Sequence, residues 1–433
     1  MTITALQALQ IFDSRGNPTV EVEVTLSNGM NARGLVPSGA STGRHEACEL
    51  RDRDPARYRG KSVFRAVENV EGEIAREIVG RDVLDQSGLD AALIALDGTP
   101  NKSRLGANAI LGTSMAVAQA AAVARGVPLY ESLGNGTGTV LPLPEIQIFG
   151  GGNHAHGRID LQAFMIVATA ARSYEETLEV THNVFHAAGN LMRERGLLAG
   201  VADEGGYWPL FKRNEDALET MVAAIERAGY TPGSDVAISL DIAATDLFRD
   251  GSYTLGLEGA RYSSLEFAEL VMGWMEKYPI LSIEDPMAED DWSGWKHLRS
   301  AIGHHCQLIG DDLFTTNLAR IERGIAEGSA NAVLIKLNQI GTVTETIAAI
   351  RRTQQAGWLP VISARSGETE DAFIAHLAVA TDAGQLKVGS FSRSERMAKW
   401  NEVLRIQRHL GSRARFVGSN LFAQAGIKPH FLR

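Results

Sequence analysis

Six short apolar runs in the second half of the chain each end at or near a charged residue, and this repetition restricts the fold more than any other feature. The runs VAISLD, ILSIED, CQLIGDD, AVLIKLN, PVISAR and QLKVGS carry Asp241, Glu284, Asp311, Lys336, Arg365 and Lys387, at intervals of 43, 27, 25, 29 and 22 residues. Amphipathic stretches lie between them, a pattern that predicts parallel strands joined by crossover helices. If the strands close into a β/α barrel, their carboxyl ends converge on one face and the six charges meet at one mouth. Adding FMIV (164–167) and the run before Asp203-Glu204 predicts eight strands.

The first part of the chain has a different period. Residues 3 to about 37 alternate apolar and polar, as in TVEVEVTL, and break at Gly16-Asn17-Pro18 and Asn28-Gly29, so they predict an antiparallel sheet. From Lys61 to about Arg125 the period becomes helical. The glycine-rich segment Gly134–Gly138 predicts a boundary, giving an α+β capping domain over 1–135 and a modified β/α (TIM-type) barrel over 136–433. The fold class is therefore α/β with an α+β cap.

A formal charge of −10, with acidic and basic residues interspersed, argues against a nucleic-acid groove. Cys48 and Cys306 are too few and too far apart for a disulfide framework and predict two buried free thiols in a reducing compartment. The N-terminus lacks the basic start and apolar run of a secretory signal. The apolar stretch Leu105–Leu129 is interrupted by Asn108, Ser114, Gln119 and Arg125, which predicts a buried helix rather than a membrane span. A cytoplasmic protein with no membrane partner is expected.

Three carboxylates, Asp241, Glu284 and Asp311, would come from neighbouring strand ends. Their charges repel unless neutralised, and hard oxygen ligands of this kind suit Mg²⁺. The alternative is that each caps a helix or pairs with a surface lysine. Lys336 and Lys387 follow apolar runs in the same way; held near a divalent cation and partly desolvated, each would have a lowered pKa and could abstract a proton. A lysine paired with one of the ligand carboxylates is the alternative. The loop Ser38-Gly-Ala-Ser-Thr-Gly43 has the hydroxyls and backbone N–H groups to close over an anion or complete a metal shell, although such a loop alone also reads as a surface turn.

Over nearly its whole length the chain resembles the enolase family, Mg²⁺-dependent phosphopyruvate hydratases. The resemblance is carried by IFDSRGNPTVEVEV, VPSGASTG, LDGTPNKSRLGANAILG, DEGG, SIEDP, DDWSGWK, GDDLF, IKLNQIGT, SGETED and GSFSR. It implies two Mg²⁺ ions per active site, the first on Asp241, Glu284 and Asp311 and the second held with help from Ser41. It makes Lys336 the base that removes the C2 proton of 2-phosphoglycerate and Lys387 the stabiliser of the substrate carboxylate and its enolate. Arg365 and Ser366 fall on the phosphate, Glu204 on the departing hydroxyl, and His154 and Gln162 on the substrate-binding segment. A homo-oligomer, dimer or octamer, is implied in the same way.

The chain departs from the family pattern near the leaving group. Gln162-Ala163-Phe164 stands where enolases have Gln-Glu-Phe, and Ser363-Ala364-Arg365 where they have Ser-His-Arg. Both changes create room, and Arg44, His45, His156 and Arg158 lie in the adjoining loops as candidates for binding a second anion. These features resemble carboxyphosphonoenolpyruvate synthase, an enolase relative that joins phosphonoformate to an enolpyruvyl unit. The expected function is thus a remodelled enzyme using phosphonoformate as second substrate, with ordinary 2-phosphoglycerate dehydration and a catalytically inactive binding protein as alternatives.

Overall fold

The computed structural model describes residues 1–40, 42–155 and 157–431. Strands β1 (Ile3–Phe12), β2 (Pro18–Leu26) and β3 (Asn31–Leu35) form an antiparallel meander. The alternation in β2 turns Val20, Val22, Val24 and Leu26 inward, where all four are buried. A helical segment over 64–78 follows, then α1 (Gln86–Asp97), whose start is capped by the Asp85 carboxylate, and α2 (Ala107–Arg125).

Helix α2 is long and apolar enough to cross a bilayer, but it is largely buried inside the protein, against β2 and β3. Its alanines permit a close approach of backbones. A Cβ at Gly34 would lie 2.6 Å from the Ala116 nitrogen and the Gly112 oxygen, so only glycine fits where β3 crosses the helix.

The barrel is built from β4 (Leu143–Gly150), β5 (Ala163–Val167), β8 (Ala237–Asp241), β9 (Ile280–Glu284), β10 (Gln307–Gly310), β11 (Ala332–Ile335), β12 (Leu359–Ser363) and β13 (Gln385–Ser390). Pairing of β13 with β4 closes it. The six predicted runs are six of these strands.

Two expectations about the other strands need correction. The run before Asp203-Glu204, Leu198–Val201 (β6), is not a barrel strand; it forms an antiparallel hairpin with Tyr207–Pro209 (β7) that attaches to the end of β4. Its half-exposed residues could not have formed a buried barrel wall, and Leu143–Gly150 supplies the missing strand. Nor is the barrel all parallel, because β5 runs antiparallel to both β4 and β8. Only residues 151–162 join β4 to β5, with a single short 3₁₀ turn among the described residues, which is too little chain for a crossover helix.

From β8 onward each strand is followed by its helix: Ser264–Lys277 (α5), Trp292–Ile302 (α6), Leu318–Glu327 (α7), Val343–Gln355 (α8), Phe373–Ala380 (α9) and Ser394–Leu410 (α10). Two helices, Tyr174–Glu194 (α3) and Glu215–Arg227 (α4), separate β5 from β8. The longer interval after Asp241 holds a small antiparallel sheet over residues 248–262. The N-terminal part docks on the barrel mouth, where Ser38 and Gly367 exchange backbone hydrogen bonds and Ser14 N–H donates to the Glu368 carbonyl. Both cysteines are free; Cys306 is buried, whereas Cys48 is only half-buried.

Candidate active site

Strand ends bring the predicted charges together. Asp241 and Glu284 close adjacent strands and are direct ladder partners. Asp311 directly follows β10 and Lys336 directly follows β11, whereas Lys387 sits inside β13. One cavity is lined by Asp241, Lys336, Lys387, Arg365, Ser366, Glu204, His154 and Gln162, with Ser363, Ala364, Val388 and Gly389 completing its wall.

The lysines and carboxylates neutralise one another. Lys387 Nζ donates to Asp241 Oδ2 at 2.8 Å and to Glu284 Oε2 at 2.6 Å, while Lys336 Nζ donates to Asp311 Oδ2 at 2.5 Å. Gln162 adds a hydrogen bond to Asp241 Oδ2 at 3.0 Å, and Gln339 one to Asp311 Oδ1 at 2.7 Å. These contacts set the proton affinities. Burial alone would lower both lysines, but Asp311 beside Lys336, and Asp241 and Glu284 beside Lys387, hold both above the usual lysine value. The lowered lysine pKa expected beside a cation is therefore reversed where the partners are bare carboxylates. Burial, with Asp241 next to it, pushes Glu284 well up, whereas the field of Lys387 overcomes burial and holds Asp241 low.

On another wall Arg365, 4% exposed, donates from Nη1 to Glu46 Oε2 at 2.9 Å and to Asn338 Oδ1 at 3.0 Å. The Ser366 hydroxyl accepts from the Ala40 N–H at 2.8 Å. Behind them the fully buried Arg396 of α10 donates to the carbonyls of Arg365, Ser366 and Val388. Together these contacts hold a cationic pocket suited to a phosphate.

The opposite wall is looser. Glu204, in the tight turn between β6 and β7, accepts one hydrogen bond from Gln147 Nε2 at 3.1 Å. Burial would raise its pKa, but the charges of His154, Arg396 and Lys387 outweigh it and hold the carboxyl below its ordinary value. His154 Nδ1 and Gln162 Oε1 are buried without a partner among the described residues. Ala163, across the ladder from Asp241, brings no polar atom to this wall.

The second-anion candidates do not gather here. Arg44 is ion-paired to Glu289 at 2.5 Å and to Asp290, and lines a separate surface cavity with them. His45 Nε2 lies 3.7 Å from the same Asp290. Arg158 is exposed and, like Arg44 and His45, does not line the central cavity. Arg44 prefers two carboxylates within reach over an already cationic cavity, the ordinary outcome for a surface arginine. His156 and Ser41 lie outside the described residues.

Sequence reasoning passed over Gln147, Glu46, Asn338, Gln339 and Arg396. Arg396 had a readable signal: with Lys399 it places two cations at i and i+3 on a helix face that also carries Trp400 and Val403, and both are fully buried. The others are neutral amides or loop residues whose partners are distant in sequence.

The donor set fits a hard divalent cation. Three carboxylates at adjacent strand ends, already neutralised by cationic groups, match the oxygen ligands of Mg²⁺. A second acidic group, Asp285, Asp311 and Asp312, also lies close together. There, Asp285 spends both oxygens on the N–H groups of Asp311 and Asp312, at 2.9 and 2.8 Å, and so shapes the loop that presents Asp311. Burial and the neighbouring Asp311 push the Asp312 carboxyl up to about 8.

Two family models match the chain: "Enolase, N-terminal domain" over residues 3–133 and "Enolase, C-terminal TIM barrel domain" over residues 138–425. Enolase 1 of Desulfitobacterium hafniense (strain Y51) is 52% identical over 429 residues, covering 98% of each chain. With the capped eight-stranded barrel, these matches show that the chain belongs to the enolase family.

Proposed function

We propose that the protein catalyses the Mg²⁺-dependent dehydration of 2-phosphoglycerate to phosphoenolpyruvate, with residues 1–135 capping a catalytic barrel over 136–433 in the cytoplasm. The observation that carries this reading is the convergence of Asp241, Glu284, Asp311, Lys336, Lys387, Arg365 and Glu204 on one cavity and its immediate walls. The name of the D. hafniense relative agrees with it.

Asp241, Glu284 and Asp311 would hold the metal, with Ser41 serving a second ion. Bound there, Mg²⁺ would draw charge from the substrate carboxylate, acidify the C2 proton and compete with Lys336 for Asp311, lowering the lysine's proton affinity. Arg365, Ser366 and the Arg396 behind them fix the phosphate. Lys336 Nζ then takes the C2 proton, and Lys387 supports the negative charge that develops on the carboxylate. On the opposite wall Glu204, beside His154, receives the C3 hydroxyl and delivers the proton with which it leaves as water. The substrate's own negative charge, arriving next to Glu204, raises its proton affinity from the low value it has in the free protein.

This reading replaces the two-substrate one. Arg44 and His45 are engaged with Glu289 and Asp290, Arg158 faces solvent, and no described candidate reaches the space beside Ala163 and Ala364 where phosphonoformate would have to sit. Neither alanine breaks the contacts among the lysines, carboxylates and Arg365. A steady-state assay of 2-phosphoglycerate with Mg²⁺, followed by a titration of phosphonoformate, tests both points. Turnover that phosphonoformate does not divert into a new product is expected; no turnover, or such a product, would overturn the proposal.

A further inference from the structure

Beneath its mouth the barrel is polar on one side and apolar on the other. Alternate residues of a barrel strand face inward, so Ser239 lies under Asp241, Ser282 under Glu284 and Gln385 under Lys387, with Gln307 deeper on the strand that leads to Asp311. Glu145 is the ladder partner of Lys387 and accepts from Ser239 Oγ at 2.6 Å, which places its carboxyl among them. Ser239 and Gln307 are both ladder partners of Ser282, so the polar positions are contiguous. On the far wall Ile309, Ala332, Leu334 and Val361 form an apolar cluster, and Leu143, Ala237, Leu281 and Phe422 pack together at the floor.

The five polar residues are at most 1% exposed, yet they pair poorly. Glu145 Oε1, Ser282 Oγ and both side-chain amide atoms of Gln307 and Gln385 have no hydrogen-bond partner among the described residues. Native interiors rarely leave such groups unpaired, and when protein atoms do not satisfy them, ordered water does. The unpaired atoms include donors, the two glutamine Nε2 groups, as well as acceptors. A cation would satisfy only the acceptors, whereas water satisfies both.

We propose that this half of the barrel is a binding site for a file of buried water molecules, held by Glu145, Ser282, Gln307 and Gln385 and reaching the underside of Lys387. Burial raises the Glu145 carboxyl above its ordinary range. Closed above by the paired lysine and carboxylates and below by the apolar floor, the water would exchange slowly with bulk. The inference does not depend on the reaction assigned above.

Two measurements test it. A high-resolution crystal structure of the wild-type protein should show ordered water within hydrogen-bonding distance of Glu145 Oε1 and of the Gln307 and Gln385 amides. Oxygen-17 magnetic relaxation dispersion should count fewer long-lived waters in Glu145→Met and in Gln385→Met than in wild type. A dry interior, with the glutamines bonded directly to protein atoms, would overturn the proposal, as would a cation seated on the Glu145 carboxylate. If either variant fails to fold, the wild-type structure decides alone.

Discussion

The two walls of the cavity are built to different standards. On the lysine side the lysines and Arg365 each have a carboxylate within 2.9 Å: Lys387 with Asp241 and Glu284, Lys336 with Asp311, and Arg365 with Glu46. Among the described residues on the leaving-group side, Glu204 has one neutral amide partner, His154 Nδ1 has none, and Ala163 offers only a methyl. Buried charge is tolerated where it is paired, so the lysine side cannot lose one member without stranding another. The leaving-group side carries alanine at 163, opposite Asp241, and the network beside it is intact.

Several variants can break or sharpen this contrast. The largest effect is expected from Asp311→Ala, which removes a proposed metal ligand and strands Lys336. Calorimetry should show loss of Mg²⁺ affinity and kinetics loss of turnover, with a stability cost of about 3–5 kcal/mol from the unpaired buried lysine. Unchanged Mg²⁺ binding would exclude Asp311 as a ligand. Next, Lys336→Ala should abolish exchange of the C2 proton with deuterium in recovered 2-phosphoglycerate, read by mass spectrometry. Exchange as fast as in wild type would show that Lys336 is not the base.

Glu204→Gln should slow elimination by about 10²- to 10⁴-fold, the usual cost of losing one positioned acid, while leaving C2 exchange intact. This split separates the two walls, and equal losses in both readouts would merge them. The smallest effect is expected from Ala163→Glu. It adds a carboxyl beside Glu204 and should raise turnover less than tenfold, with no change in Mg²⁺ affinity. A fall in Mg²⁺ affinity would show that this wall is coupled to the lysine side after all.

Much of this is legible in the sequence alone, for identifiable reasons. The barrel could be read because each of six strands carries an apolar run and a terminal charge, two signals at one position. The strand Leu198–Val201 imitated such a run, and its exposure and its hairpin pairing with β7 exclude it. The inverted strand β5 could not be read from its own residues; its direction follows from the shortness of residues 151–162. In the site, charged residues at strand ends announced themselves, while Gln147 and Glu46 did not, because their roles depend on partners in distant segments. The second-anion set failed differently. A positive charge near a cavity in sequence says nothing of which carboxylates compete for it, and Glu289 and Asp290 hold Arg44.

The central claim is that the paired lysine side, together with Glu204 alone, suffices for dehydration. Its most direct test is the initial rate of phosphoenolpyruvate formation from 2-phosphoglycerate by the wild-type protein, measured with Mg²⁺ and again after chelation. The account predicts saturable turnover that chelation abolishes and Mg²⁺ restores. A folded protein that binds Mg²⁺ and exchanges the C2 proton, yet forms no phosphoenolpyruvate, would contradict it.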